Sequence, residues 1–417
     1  MNTPENLPPN SDLDFATRDA ACIWHPYTQA DTATLPIAIR RAEGAYLITE
    51  DGRRIMDAIS SWWVNVHGHA HPRLADALAR QARELEHVMF AGFTHRPAVE
   101  LAERLCKLTG LDRVFYSDNG STAVEAALKM AFQYWALRGE RRVRFLALPD
   151  AYHGDTVGAM AVSGIPLFHR TFRELLFRVD RYEGGEIGTD IAAVIVEPML
   201  QGAAGMKVQT PEHLAELARR CRESGTLLIA DEVLTGFGRT GKMFACEHAA
   251  VVPDIMCLSK GISGGAMPFA ATLASSFVFD AFRRGDRGAT FFHGHSFTGN
   301  PLGCAVALES LRLFDEQPVL ERAQRIGEIL AAGLEPLRGE KHVKEVRGIG
   351  PVQAVEIEAD GGYLSDIGPR MAAAALERGY LLRPLGNVLY AMPPYCLTDQ
   401  EATDLAGAMV DIVRETT

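Results

Sequence analysis

Short apolar runs at 143–148, 193–196, 227–230 and 255–258 recur through the middle of the chain, and stretches of helical periodicity such as 122–137 and 211–223 lie between them. Each run has the length of a strand, and each is followed by polar or glycine-containing sequence. Strand–helix alternation of this kind builds a mainly parallel α/β sheet covered by helices. Ligands of such sheets sit outside the carboxyl ends of the strands. The residues that directly follow each run are therefore the first place to look for chemistry.

The chain has 417 residues, enough for two or more compact units. After about residue 315 its character changes. Segments 318–335 and 366–378 read as helices, and 343–346, 352–357 and 388–392 as strands, which predicts a smaller α+β domain. Near the start, an Asp51-Gly52 turn between strand-like 45–48 and 54–57 predicts a hairpin that packs with that C-terminal unit. The expected division is 1–60 as an N-terminal segment, 61–314 as a large domain and 315–417 as a small one. The first twelve residues are polar and proline-rich and read as a frayed tail, not a signal peptide or anchor.

A net charge of −11 argues against a nucleic-acid partner, which needs a basic face. No apolar run reaches the ~20 residues of a membrane span. The seven cysteines are odd in number and scattered, without a Cys-x-x-Cys, which fits reduced thiols in the cytoplasm. His67, His69 and His71 alternate, but no carboxylate or thiol set at metal spacing accompanies them, so no metal is expected.

Four features carry possible chemistry. Lys260 ends the run at 255–258 and precedes Gly261. A lysine held in a pocket loses its proton and becomes a nucleophile, although one at a strand end can equally be a surface residue. Asp231 ends the preceding run, where a carboxylate can hold a ring nitrogen protonated or simply cap a loop. Ser117-Asp118-Asn119-Gly120-Ser121-Thr122 opens a helix, either as a phosphate cup or as an ordinary N-cap. Tyr152, after the run at 143–148, can stack on a flat ring or pack at a rim, and His153 beside it reads as a packing or hydrogen-bonding residue rather than a metal ligand. Together, phosphate cup, stacking aromatic, strand-end acid and strand-end lysine are the parts of a site for pyridoxal 5′-phosphate (PLP).

The stretch IADEVLTGFGRTG at 229–241, followed by PDIMCLSKG at 253–261, resembles the class III, fold type I aminotransferases over nearly the whole chain. The resemblance implies a PLP-dependent transferase whose large domain carries a mainly parallel seven-stranded sheet. It also implies small-molecule substrates and a homodimer with active sites at the interface. Lys260 would hold PLP as a Schiff base, Asp231 would pair with the pyridine nitrogen and Tyr152 would stack on the ring. Gly120 and Ser121 would bind the phosphate from one subunit and Ser296 from the other.

Within the class, WHPYT at 24–28, the tandem tryptophan of DAISSWW at 57–63, RPLG at 383–386 and YAMPPY at 390–395 are similar to one branch. That branch aminates 8-amino-7-oxononanoate in biotin formation, with S-adenosylmethionine as the implied donor and lysine as an alternative. Tyr27, Trp62 and Trp63 would line an apolar slot and Arg383 would grip a carboxylate. Gly294, Arg239 and Tyr390 occupy matching motif positions. The other reading is a class III ω-aminotransferase that uses an amine or ω-amino acid with pyruvate. Three positions depart from the pattern: His295 and Ser296 where the family carries proline and threonine, the serine keeping the hydroxyl, and Pro268 in the turn after Lys260.

Overall fold

The computed structural model describes residues 15–417, so the polar tail at 1–12 lies outside the described residues. Its central layer is a seven-stranded sheet. In chain order the strands are β1 (Arg113–Ser117), β2 (Arg144–Ala147), β3 (Val179–Arg181), β4 (Ile191–Val196), β5 (Leu227–Asp231), β6 (Ile255–Leu258) and β7 (Ala270–Ala274). They lie side by side in the order β1-β7-β6-β5-β4-β2-β3. Pairs β6–β5, β5–β4, β4–β2 and β2–β3 are parallel. Strand β7 runs antiparallel to both β6 and β1. The sheet is thus mainly parallel, as its alternation with helices predicts. The reversed strand was not anticipated, because Ala-Ala-Thr-Leu-Ala carries little strand propensity and is fixed by burial between two neighbours.

Strands β4, β5 and β6 are buried at every position. Their side chains alternate between two cores. Val194, Leu228, Ala230 and Met256 face one layer with Leu101, Leu214 and Leu311. Ile195, Ile229, Ile255 and Cys257 face the other, with Ala127 and Trp135 of the helix Gly120–Leu137. Burial on both faces explains why these runs read as continuous apolar sequence rather than alternation.

The expected hairpin forms between Tyr46–Thr49 and Arg54–Asp57, with Gly52 at φ +85° in the turn. Its second strand pairs in parallel with Tyr380–Leu381 from the far end of the chain. Val343–Ile349, Val352–Ile357 and Val388–Ala391 make a separate antiparallel sheet. One hydrophobic core joins Ala45, Met56 and Ile59 to Leu330, Val355, Leu389 and Met409. The N-terminal segment and the C-terminal region are therefore packed as one body.

Candidate active site

The parallel ladder sets the levels of the strand ends. Asp231 pairs with Cys257, three residues before Lys260. Ala230 pairs with Val196, so Asp231 and Glu197 leave adjacent strands at the same height. Above them lies a cavity of about 520 Å³, lined by Gly120, Ser121, Tyr152, Glu197, Asp231 and Lys260, with Trp63 and Pro268 also in its wall. The structure thus brings six sequence-predicted residues, Lys260, Asp231, Tyr152, Gly120, Ser121 and Trp63, to one space, and adds Glu197, which no sequence motif marks.

Lys260 adopts φ +47°, a left-handed conformation that costs a non-glycine residue energy and clusters at functional sites. Its Nζ lies 4.9 Å from the centre of the Trp63 ring. Burial pushes its pKa down to about 8, opposed by the negative charges of Asp231 and Glu197 and aided by Arg239. At pH 7 about a tenth of this amine is unprotonated, the form a nucleophile requires.

Asp231 is 4% exposed. Its Oδ2 accepts from His153 Nδ1 at 2.7 Å, and its Oδ1 accepts from the Val233 N–H at 3.1 Å. The other nitrogen of His153, Nε2, is buried with no partner. His153 therefore orients the acid, the hydrogen-bonding one of its two expected roles. Glu197 accepts from the backbone N–H groups of Tyr152 and Gly202, and burial pushes its pKa up to about 7.

The helix Gly120–Leu137 starts two residues earlier than its periodicity predicts, because Asn119 caps it by accepting from the Thr122 N–H at 3.1 Å. The first N–H groups of a helix have no intrahelical acceptor, so Gly120 and Ser121 present theirs at the positive dipole end. A Cβ on Gly120 would lie 2.6 Å from Val233 Cγ1, so only glycine fits. Ser121 Oγ accepts from the Asp155 N–H at 3.1 Å. Asn119 is thus an ordinary cap and the next two residues remain available to an anion. Amine, acid, aromatic wall and anion cup around one cavity fit PLP on structural grounds.

The two tryptophans part company. Trp63 is buried and its indole N–H donates to the Tyr390 hydroxyl at 2.8 Å. Trp62 is exposed and lies 4.5 Å below the Arg383 guanidinium. Ser60, Ser61 and Trp63 all have positive φ. That turn is held by Asp57, which accepts from the Ser61 N–H at 2.7 Å and its hydroxyl at 2.8 Å. Arg239 is fully buried and donates to the carbonyls of Asn65 at 2.8 Å and Pro393 at 3.1 Å. It pins the backbone beside Trp63.

Tyr27 donates to both carboxylate oxygens of Asp155, at 2.9 and 2.8 Å, and its ring meets Trp62 edge-on at 5.5 Å. Its hydroxyl lies 3.4 Å from that of Tyr152, and burial pushes its pKa up to about 12. Arg383 makes no ion pair or hydrogen bond among the described residues. Gly294 and Ser296 are exposed and stand outside the cavity of their own chain. His295 between them lies with Nδ1 3.2 Å from Asp118 Oδ2. His67 pairs with Ser310 and His69 with Asp57, each in a separate contact.

The aminotransferase class-III family model matches residues 27–183 and 173–413. A curated protein of Synechococcus elongatus, an adenosylmethionine-8-amino-7-oxononanoate aminotransferase, is 47% identical over 94% of this chain and 98% of its own. The crystal structure of the enzyme of that name from Methanocaldococcus jannaschii has a TM-score of 0.91 at 36% identity, covering 96% of this chain and 98% of that one. The ω transaminase of Pseudomonas jessenii in complex with PMP has a TM-score of 0.91 at 30% identity, covering 97% and 98%. With a family match that spans nearly all of the folded chain, and strand ends that gather a lysine, two acids and an anion cup, this protein belongs to the class-III aminotransferases, enzymes that work with PLP.

Proposed function

We propose that this aminotransferase converts 8-amino-7-oxononanoate to 7,8-diaminononanoate in biotin formation, with S-adenosylmethionine as amino donor. The observation that carries the substrate assignment is Arg383. Its guanidinium has no carboxylate partner among the described residues and lies over Trp62, which in turn meets Tyr27. An aromatic wall ending in a free cation suits a long aliphatic chain with a terminal carboxylate. The names of the relatives at 47% and 43% identity support the same reading.

Bound in the cavity, PLP supplies an electron sink for charge at the carbon that gains or loses the amino group. Lys260 would hold the cofactor covalently and, when its amine is free, would carry a proton to and from that carbon. Asp231, oriented by His153, would keep a proton on the pyridine nitrogen. Tyr152 would offer a flat face to the ring, and Gly120 and Ser121 would grip the phosphate through helix N-terminal N–H groups. Trp63, Tyr390 and Arg239 act as one buried unit that fixes the wall behind Lys260.

The protein acts as a homodimer in this account, with Gly294 and Ser296 serving the partner's cavity. Their exposure, beside exposed Phe292 and Phe297, supports that arrangement, and sedimentation of the purified protein tests it. The proposed division remains 1–60, 61–314 and 315–417. Seven free thiols support a cytoplasmic setting, and among the described residues no helix is long and apolar enough to cross a membrane.

Incubating holoenzyme with the keto acid and S-adenosylmethionine, then with lysine, should give the diamine by mass spectrometry with at least one donor. No diamine with any donor overturns the assignment. The likeness to the Pseudomonas jessenii ω transaminase favours the second reading, an amine or ω-amino acid donor with pyruvate. A donor screen by cofactor absorbance separates the two.

A further inference from the structure

We infer that Glu197 is a positioning residue of the reaction, which ties the two aromatic walls of the cavity together and sets the charge on Lys260. Its first role rests on backbone contacts. Oε2 accepts from the Tyr152 N–H at 2.9 Å, and Oε1 accepts from the Gly202 N–H at 3.2 Å. Tyr152 is one wall. Gly202 lies under the other, since a Cβ there would stand 3.3 Å from Trp63 Cζ3. One carboxyl therefore fixes both the tyrosine and the turn against which the tryptophan packs.

The second role follows from what Glu197 lacks. It is 4% exposed and has no ion-pair partner among the described residues. A buried carboxyl without a cation is costly to ionise, and its pKa of about 7 reflects that cost. The ionisable groups that line the same cavity are His153, Asp231 and Lys260, with Asp231 at the same height on the adjacent strand. Arg239, behind Trp63, acts on Lys260 with the opposite sign. When ionised, Glu197 favours the protonated form of the lysine nitrogen, in addition to Asp231. Two acids of unlike environment thus share the cavity, Asp231 held by a histidine and Glu197 held only by backbone.

The inference rests on the reading of Lys260 as the cofactor lysine. Its test is the pH titration of the visible band of holoenzyme. Glu197→Gln keeps the volume and one acceptor oxygen, and removes the charge. The titration midpoint should fall by about one unit, as expected for loss of a neighbouring charge. Glu197→Asp keeps the charge and shortens the reach, so its midpoint should stay near that of the parent while KM rises. A Glu197→Gln midpoint equal to the parent's overturns the inference, whatever its thermal stability. So does a Glu197→Asp midpoint that falls as far as one unit, which keeps the inference testable if Glu197→Gln does not fold. Lys260→Ala separates the two readings. Loss of the pH-dependent band upholds the lysine, and its persistence removes the basis for both.

Discussion

Asp231, Glu197 and Lys260, on the floor of the cavity, lie at the ends of three neighbouring strands whose ladder fixes their relative heights. Tyr27, Trp62 and Arg383, at its rim, come from opposite ends of the chain and meet through side chains alone. The floor is buried and mostly hydrogen-bonded, whereas Tyr27 and Trp62 are 46% and 40% exposed. A floor built this way can serve any reaction that needs a lysine and a ring-holding acid. A rim built this way can change its substrate by a few substitutions without disturbing the sheet. The contrast predicts that floor variants lose rate and rim variants lose selectivity.

The sharpest break would come at Asp231. Asp231→Asn should lower kcat by roughly 10²–10³-fold, the cost of removing one preorganised electrostatic group. Both substrates should suffer alike in single-turnover measurements. At the rim, Arg383→Ala should lower kcat/KM for the keto acid by about 10–150-fold, the equivalent of a charge-assisted contact of about 1.5–3 kcal/mol. The half-reaction with the donor should change little, and an equal loss in both halves would erase the distinction between rim and floor.

The pH dependence sharpens the picture of the floor. Only the neutral amine captures an aldehyde, and the pKa of Lys260 is down at about 8. Capture of PLP by the apoprotein should therefore rise about tenfold per unit up to pH 8 and level off above it. A midpoint near the ordinary lysine value of 10.5 would contradict the effect of burial. The smallest effect lies in the wall between the two regions. Tyr390→Phe leaves the buried Trp63 indole N–H without its acceptor, at a cost of about 1–3 kcal/mol in unfolding free energy. Chemical denaturation measures it, and the substrate preference should not move.

The same contrast explains what could be read from the sequence. Lys260, Asp231 and Tyr152 were legible because each follows an apolar run, and strand ends are where ligands bind in such sheets. Glu197 obeys the same rule, directly after Val196, but its role depends on the backbone N–H groups of Tyr152 and Gly202, which only the folded chain brings to it. Strand β7 escaped because its residues have no strand signature of their own. The opposite fates of Trp62 and Trp63 depend on three positive φ values held by Asp57 and Arg239, contacts that no local pattern announces. Asp155 belongs to the same group, since its partner Tyr27 arrives from the N-terminal segment. Arg383 was legible only through family resemblance, because nothing in its own neighbourhood in the sequence distinguishes it from a surface cation.

The central claim is that one amine, Lys260, holds the cofactor opposite Asp231. Borohydride reduction of the holoenzyme, followed by proteolysis and mass spectrometry, tests it most directly. A phosphopyridoxyl mass is expected on the peptide containing Lys260, with no labelled peptide after Lys260→Ala. Label on any other lysine of the parent protein, or none at all, would contradict it.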